Sequence, residues 1–282
     1  MSQAQKKREK NNYVFPKIRV GLFGLGSFGA HHYNVLSQHP MIDFVGFYDP
    51  VKGGFESPED LIHLCDAISI VTPPDTHFYL ANKVLEFNKA VFIEKPVCVS
   101  LNEAVGLSLL DGIIQVGHIE IFNPLIRWVK NHIGESEILS FSAFRHRIGG
   151  DNSDLVLDLM IHDIYLLDYF FGADSSFDVI KKDKSEGLSV SMRCGSSNIS
   201  LFANKEAEIN YRAIEIRTKE NLYLIDLLEE CVYLNDERQD ILLVNKLIEQ
   251  YTHFAYSVLN NSAPICGIKE GIKSLETIKK IL

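Results

Sequence analysis

The feature that most constrains this chain is an apolar run, Ile18–Phe23, that breaks directly into Gly24-Leu25-Gly26-Ser27-Phe28-Gly29. A strand-like hexamer, a G-x-G-x-x-G and a helix-forming stretch up to about His39 read as the start of a βαβ unit. In that setting Gly24 allows a tight turn. Gly26 lets the backbone approach a pyrophosphate, and Gly29 lets the helix lie close to the strand. Phosphates would rest on the free N–H groups of the helix start, beside Ser27 and Phe28. A glycine-rich turn in some other α/β protein is the alternative reading of the loop alone.

The alternation continues, and that favours the dinucleotide reading. Further strands are expected at 44–48, 67–71, 90–93 and 113–116. A helix capped by Asp75 or Thr76 carries Phe78, Leu80, Ala81, Val84 and Leu85 mostly on one face. Strands separated by helices imply right-handed crossovers and a parallel sheet. After about residue 135 the pattern changes. A strand at 138–147 and a helix at 155–171, stopped by Gly172, lead into strands at 177–180, 188–194, 199–203, 208–217, 222–226 and 231–234. Helices at 241–259 and 269–281 follow. Short turns such as Cys194-Gly195-Ser196-Ser197-Asn198 imply mostly antiparallel pairing. The expected fold is an α/β Rossmann domain, a doubly wound parallel sheet, over residues 17–120. A C-terminal α+β domain with a mostly antiparallel open sheet, for substrate binding and oligomerisation, takes residues 121–282. Residues 1–16 read as a disordered tail without the apolar core of a signal peptide.

Charge and cysteine content narrow the function classes. A net charge of -9 argues against nucleic acid and against anionic membrane surfaces as partners. The five cysteines have no C-x-x-C spacing, so neither a disulfide framework nor a zinc site is expected, and a reducing cytoplasm fits. No apolar run is long enough for a bilayer. An open sheet face usually finds a partner, so a homodimer or homotetramer is expected.

In parallel α/β sheets ligands sit beyond the carboxyl ends of the strands. Asp49, Thr72-Pro73-Pro74-Asp75-Thr76-His77, Glu94-Lys95-Pro96 and Gly117-His118 all stand there. Asp49 is placed to accept hydrogen bonds from the adenosine ribose, which favours NAD over NADP; turn formation before Pro50 is its other reading, and nearby Lys52 softens the preference. Lys95, aimed by Pro96 and beside a nicotinamide, would have a lowered pKa and could share a proton with a substrate hydroxyl. A solvated Glu-Lys pair is the plain alternative. Asp158 and His162, at i and i+4 of a helix, share a face, where the carboxylate could orient the imidazole as a base. A core histidine remains open; a metal pair lacks a third ligand at suggestive spacing.

Together these motifs resemble the Gfo/Idh/MocA oxidoreductase family. The resemblance runs from Val20 to the last helix, on Gly24–Gly29, Asp66-Ala67-Ile68-Ser69-Ile70-Val71-Thr72-Pro73 with His77, Glu94-Lys95-Pro96, Val116-Gly117-His118, and Asp158 with His162-Asp163. It implies hydride transfer to or from a nicotinamide, with catalytic roles for Lys95, Asp158 and His162, and goes with cofactor roles for Gly24, Gly26, Ser27, Phe28, Gly29, Asp49, Thr72, Pro73, His77, Glu94 and Lys95. Residues 117–124 and 156–164 are similar to the UDP-N-acetylglucosamine 3-dehydrogenase branch, which feeds bacterial surface glycolipids (lipid A and lipopolysaccharide). That branch implies a nucleotide-sugar substrate met by His118, Asn123, Arg145, Arg147, Asp158 and His162, with guanidinium forks on a diphosphate. It also implies an aminotransferase that consumes the ketone. Three departures stand out: the short stretch 51–57, the short segment 96–116, and Ile121 where close relatives carry Arg. A free-sugar or cyclitol dehydrogenase, a bilin or imine reductase, and a non-catalytic NAD-binding regulator remain the rivals.

Overall fold

A computed structural model describes residues 16–150, 154–172 and 174–282. The tail expected over 1–16 therefore lies outside the described residues, save Pro16.

The first half builds one sheet. β1 (Ile18–Phe23), α1 (Ser27–Leu36), β2 (Ile42–Asp49), β3 (Gly53–Gly54), α2 (Pro58–Leu64), β4 (Ala67–Ile70), α3 (His77–Glu86), β5 (Ala90–Ile93), α4 (Leu101–Ser108) and β6 (Ile114–Val116) follow in order. The strand order is β3-β2-β1-β4-β5-β6, parallel except for the small β2–β3 hairpin. The stretch 51–57 is thus a two-residue edge strand and a turn before α2. Capping fixes the helix starts: Ser57 accepts from Asp60 N–H, and Ser100 forms a capping box with Glu103.

Alternate residues of each strand enter two cores, as the pleat requires. Phe23, Ile68, Ile70, Val91 and Ile93 pack with α2, α3 and α4. Val20, Leu22, Ala67 and Phe92 point the other way and meet Leu36 of α1. That second face is completed from far along the chain, by Tyr251, Phe254 and Ala255.

The second half begins with α5 (Pro124–Ile133) and β7 (Ile138–His146). A π-helical turn, Val156–Met160, runs into α6 (Ile161–Phe171). Then come β8 (Asp178–Asp183), β9 (Leu188–Cys194), β10 (Ser197–Asn204), β11 (Tyr211–Thr218), β12 (Leu222–Asp226), β13 (Cys231–Leu234), β14 (Glu237–Gln239), α7 (Lys246–Asn260) and α8 (Ile268–Ile281). Their order is β14-β13-β12-β11-β7-β10-β9-β8, antiparallel except for the central β7–β10 pair. One face, with Phe141, Ala143, Leu201 and Ile214, is buried against the helices. The other carries Phe144, Phe202 and Tyr211, where the first two rings stack at 4.9 Å.

The sheet class and strand positions agree with the sequence. The crossing of α7 and α8 is new. α7 packs on β1 and α1, α8 packs on α4 and β6, and Gln115 bridges to Gly267.

Candidate active site

A cleft of about 1180 Å³ runs over the carboxyl ends of the parallel strands. At one end stand Asp49, Pro50 and Lys52. The middle is lined by Gly24, Gly26, Ser27, Phe28, Thr72 and Pro73. The far end holds Glu94, Lys95, Leu157 and Asp158, so both halves of the chain contribute.

The middle is shaped for a dinucleotide backbone. Gly24 has φ +88°, and a Cβ there would lie 2.6 Å from the Val71 carbonyl oxygen. A Cβ on Gly29 would sit 2.2 Å from the Gly24 carbonyl oxygen, so the glycine is what lets α1 start beside the strand end. Gly26, the N-cap of α1, meets nothing within 4 Å and offers no side-chain cap. The first N–H groups of α1 therefore stay available to an anion in the cleft.

At the adenosine end the structure gives Asp49 more internal work than expected. Its Oδ2 accepts from Leu25 N–H (2.7 Å), and Oδ1 from the amides of Val51 and Lys52 (2.9 Å each). These bonds, the one from Leu25 foremost, hold its carboxyl below the usual range. Lys52 Nζ reaches across to donate to the Leu25 carbonyl at 2.5 Å. Asp49 thus shapes the rim as a charged turn, which is the turn-forming reading of the residue. His77 differs from expectation. It is fully buried, with Nδ1 2.9 Å from the Pro96 carbonyl and Nε2 3.0 Å from that of Thr72. It braces two strand-end turns together, and no nitrogen is left to face a cofactor.

At the far end the Lys95–Pro96 bond is cis. Lys95 Nζ donates to the Asp158 carbonyl at 3.2 Å and stands 3.9 Å from its Oδ1. Burial lowers the Lys95 amine below the ordinary lysine value, against the pull of Glu94 and Asp158. Oδ2 of Asp158 lies 3.0 Å from Lys205 Nζ and 3.7 Å from Arg147 Nη1. Burial would raise this carboxyl, but Lys205, Lys95 and Arg147 together outweigh it and keep it below its usual value.

The expected Asp158–His162 pair is corrected by this geometry. Asp158 turns to three cations, while His162 Nδ1 is buried with no hydrogen-bond partner among the described residues. The cause is the π turn Val156–Met160, where i→i+5 bonding shifts the register that an i, i+4 pairing assumes. His162 is held neutral, its pKa driven well down by burial and then by Arg145 and Lys95.

Behind the cleft lies a polar layer. His118 stacks on Tyr165 (4.2 Å between centroids), and burial with the Lys95 charge pushes it down to about 3. Asn123 is used internally: its Oδ1 caps α5 at Leu125 N–H, and its Nδ2 donates to Glu120 Oε2. Arg145 is buried, donating from Nε to Asp163 Oδ2 at 2.8 Å with Glu120 at 3.9 Å. Of the residues expected to meet the substrate, Asp158 lines the cleft, whereas His118, Asn123, Arg145, Arg147 and His162 are not among its lining residues; Arg147 reaches it only through Asp158, 3.7 Å from Oδ2. Lys205, after β10, was missed by sequence reading. A lysine in a polar turn carries no local signal, and only the sheet brings it to Asp158.

An open parallel sheet with a glycine loop on an uncapped helix, and a largely buried lysine at the far end of one cleft, is the arrangement of a dinucleotide-binding Rossmann domain. Residues 18–110 match the Gfo/Idh/MocA family model, described as an oxidoreductase family with an NAD-binding Rossmann fold. The chain is 29% identical over 188 residues to scyllo-inositol 2-dehydrogenase (NAD(+)) of Bacillus subtilis, and 28% over 180 residues to UDP-N-acetylglucosamine 3-dehydrogenase of Acidithiobacillus ferrooxidans. Each alignment covers 56% of this chain and 55% of the relative, so the chain spans about half the length of the curated relatives it matches. The solved structure of the Acidithiobacillus enzyme superposes with TM-score 0.83 at 21% identity, over 94% of this chain and 96% of that one. A 3-ketoreductase from Actinomadura kijaniata, solved with NADP and TDP-benzene, superposes with TM-score 0.79 at 17% identity, over 94% and 96%. At these identities the structural likeness is one of fold.

Proposed function

We propose that this protein is a nicotinamide-dependent dehydrogenase that interconverts a sugar hydroxyl and a ketone. The observation that carries the reading is the largely buried Lys95 amine, set on the Asp158 carbonyl and carboxylate at the end of the dinucleotide cleft. A bound nicotinamide dinucleotide supplies the ring that accepts hydride from the sugar carbon. Gly26 and the amide end of α1 would hold the diphosphate of such a dinucleotide. Lys95 Nζ donates to the reacting oxygen and stabilises its developing negative charge. His162, whose Nδ1 has no hydrogen-bond partner among the described residues, accepts the hydroxyl proton. Asp158 fixes Lys95, and Arg147 and Lys205 hold Asp158 ionised.

Within that reading we infer C3 of UDP-N-acetylglucosamine as the reacting centre and NAD as the cofactor. The Acidithiobacillus relative acts on that nucleotide sugar, and the Asp49 carboxylate disfavours a 2′-phosphate. The Bacillus relative, matched over the same share of this chain, supports a cyclitol as the second reading. A cytoplasmic setting, an aminotransferase taking the ketone and a homo-oligomer through the open sheet belong to the same proposal. Among the described residues no helix is long and apolar enough to cross a membrane.

The test is NADH formation from NAD⁺ and UDP-N-acetylglucosamine, with NADP⁺ and myo- or scyllo-inositol run in parallel. Lys95→Ala and His162→Ala should each lower turnover by roughly 10²–10⁴-fold. Wild-type turnover in both variants would sink the residue assignments. NADH binding without turnover on any polyol would move the protein to the non-catalytic class.

A further inference from the structure

Beneath the reactive end of the cleft, side chains from α1, β4 and α7 converge on Glu94. Tyr251 of α7 is fully buried, its ring stacked on Phe92 of β5 at 4.8 Å. Its hydroxyl lies 2.6 Å from Ser69 Oγ and 2.7 Å from His32 Nδ1. The other nitrogen of His32, Nε2, faces Glu94 Oε1 at 3.4 Å. Glu94 is confined on its remaining sides. Its Oε2 accepts from Lys95 N–H at 3.1 Å, and its carboxylate rests on Gly117, where a Cβ would come within 2.5 Å of Oε1.

The chain has a polarity. Tyr251 has one hydroxyl proton for two neighbours. If a neutral His32 donated from Nδ1, its Nε2 lone pair would face a carboxylate. If Ser69 donates to Tyr251 and Tyr251 to Nδ1, then Nε2 carries the hydrogen and points a donor at Glu94. The second arrangement leaves no lone pair against the carboxylate.

We propose that Ser69, Tyr251 and His32 form a directed hydrogen-bond chain that positions the Glu94 carboxylate beside Lys95 for the reaction. All three act through Glu94 and line no part of the cleft; the inference rests on the dehydrogenase reading. Among the described residues the charged groups around Lys95 are Glu94, Asp158, Arg145 and Lys205, of which Glu94 pulls hardest toward the protonated amine. Releasing Glu94 should therefore move the pH limb of turnover that belongs to Lys95 downward.

Tyr251→Phe keeps the ring and its stacking and removes only the hydroxyl. Ser69→Ala removes the first donor and serves if the Phe variant is poorly folded. Imidazole ¹⁵N spectra of the full chain read the His32 tautomer with no need of turnover. The expected result is Nε2–H in the wild type and a mixture in Tyr251→Phe. With it, kcat should fall about tenfold or more, since small misplacements are costly, while the sugar KM stays nearly constant. The pH limb should move down by roughly half a unit. A folded Tyr251→Phe with wild-type kcat, pH profile and tautomer would overturn the proposal. A wild-type protein with the Nε2–H tautomer, sensitive to Tyr251→Phe, but with no turnover on any sugar or polyol would instead remove the dehydrogenase reading and the catalytic purpose of the chain with it.

Discussion

Gly117 leaves no room for a side chain, and the obstacle is the Glu94 carboxylate together with the Glu94 Cα, 3.0 Å from the Cβ position. The backbone cannot retreat, so in Gly117→Ala the flexible end of Glu94 must move. Turnover should fall about tenfold or more while far-UV circular dichroism stays native, because the change is local. The residue scale also shows where sequence reading works. Strand-end positions such as Glu94, Lys95 and Thr72 were legible because parallel sheets put ligands there. His77 and Asn123 were found as polar residues in the right region and given the wrong work. Each satisfies backbone groups nearby, a demand that spacing does not reveal. His32 and Tyr251 lie far apart in sequence, and neither belongs to a motif that announces the other.

Elements carry their own tension. Asp168 on α6 is buried with Lys273 of α8 2.8 Å away, and burial pushes its carboxyl up to about 6. The folded state therefore holds this proton more tightly than the unfolded chain. The stability it contributes is full below about pH 4 and is lost as pH rises to about 6, a change of about 3 kcal/mol by the size of the shift. A pH series of thermal midpoints should show this decline across pH 4–6, and Asp168→Asn should flatten it. The helix that bears Asp168 was legible from its apolar content and Gly172. Its π entry was not, because a single widened turn leaves no periodicity to read, and so the Asp158–His162 register was misjudged.

For the whole molecule, the doubly wound sheet and the antiparallel sheet were both legible from strand length and turn spacing. The return of α7 and α8 was not, since amphipathic helices declare a buried face without declaring what covers it. The open face of the second sheet, with Phe144, Phe202 and Tyr211, is where the proposed self-association belongs. Phe202→Glu should shift the mass measured by light scattering to the monomer, with its secondary structure unchanged. An unchanged assembly would place the interface elsewhere.

The closure of one Rossmann face by Tyr251, Phe254 and Ala255 also has a consequence for synthesis. β1 through β6 leave the ribosome complete, but the side of the sheet bearing Val20, Leu22 and Phe92 waits for about 130 more residues, roughly ten seconds of translation. During that interval a nascent chain with all its dinucleotide-binding motifs in place still presents an apolar sheet face covered only in part, by α1, to chaperones and to neighbouring chains.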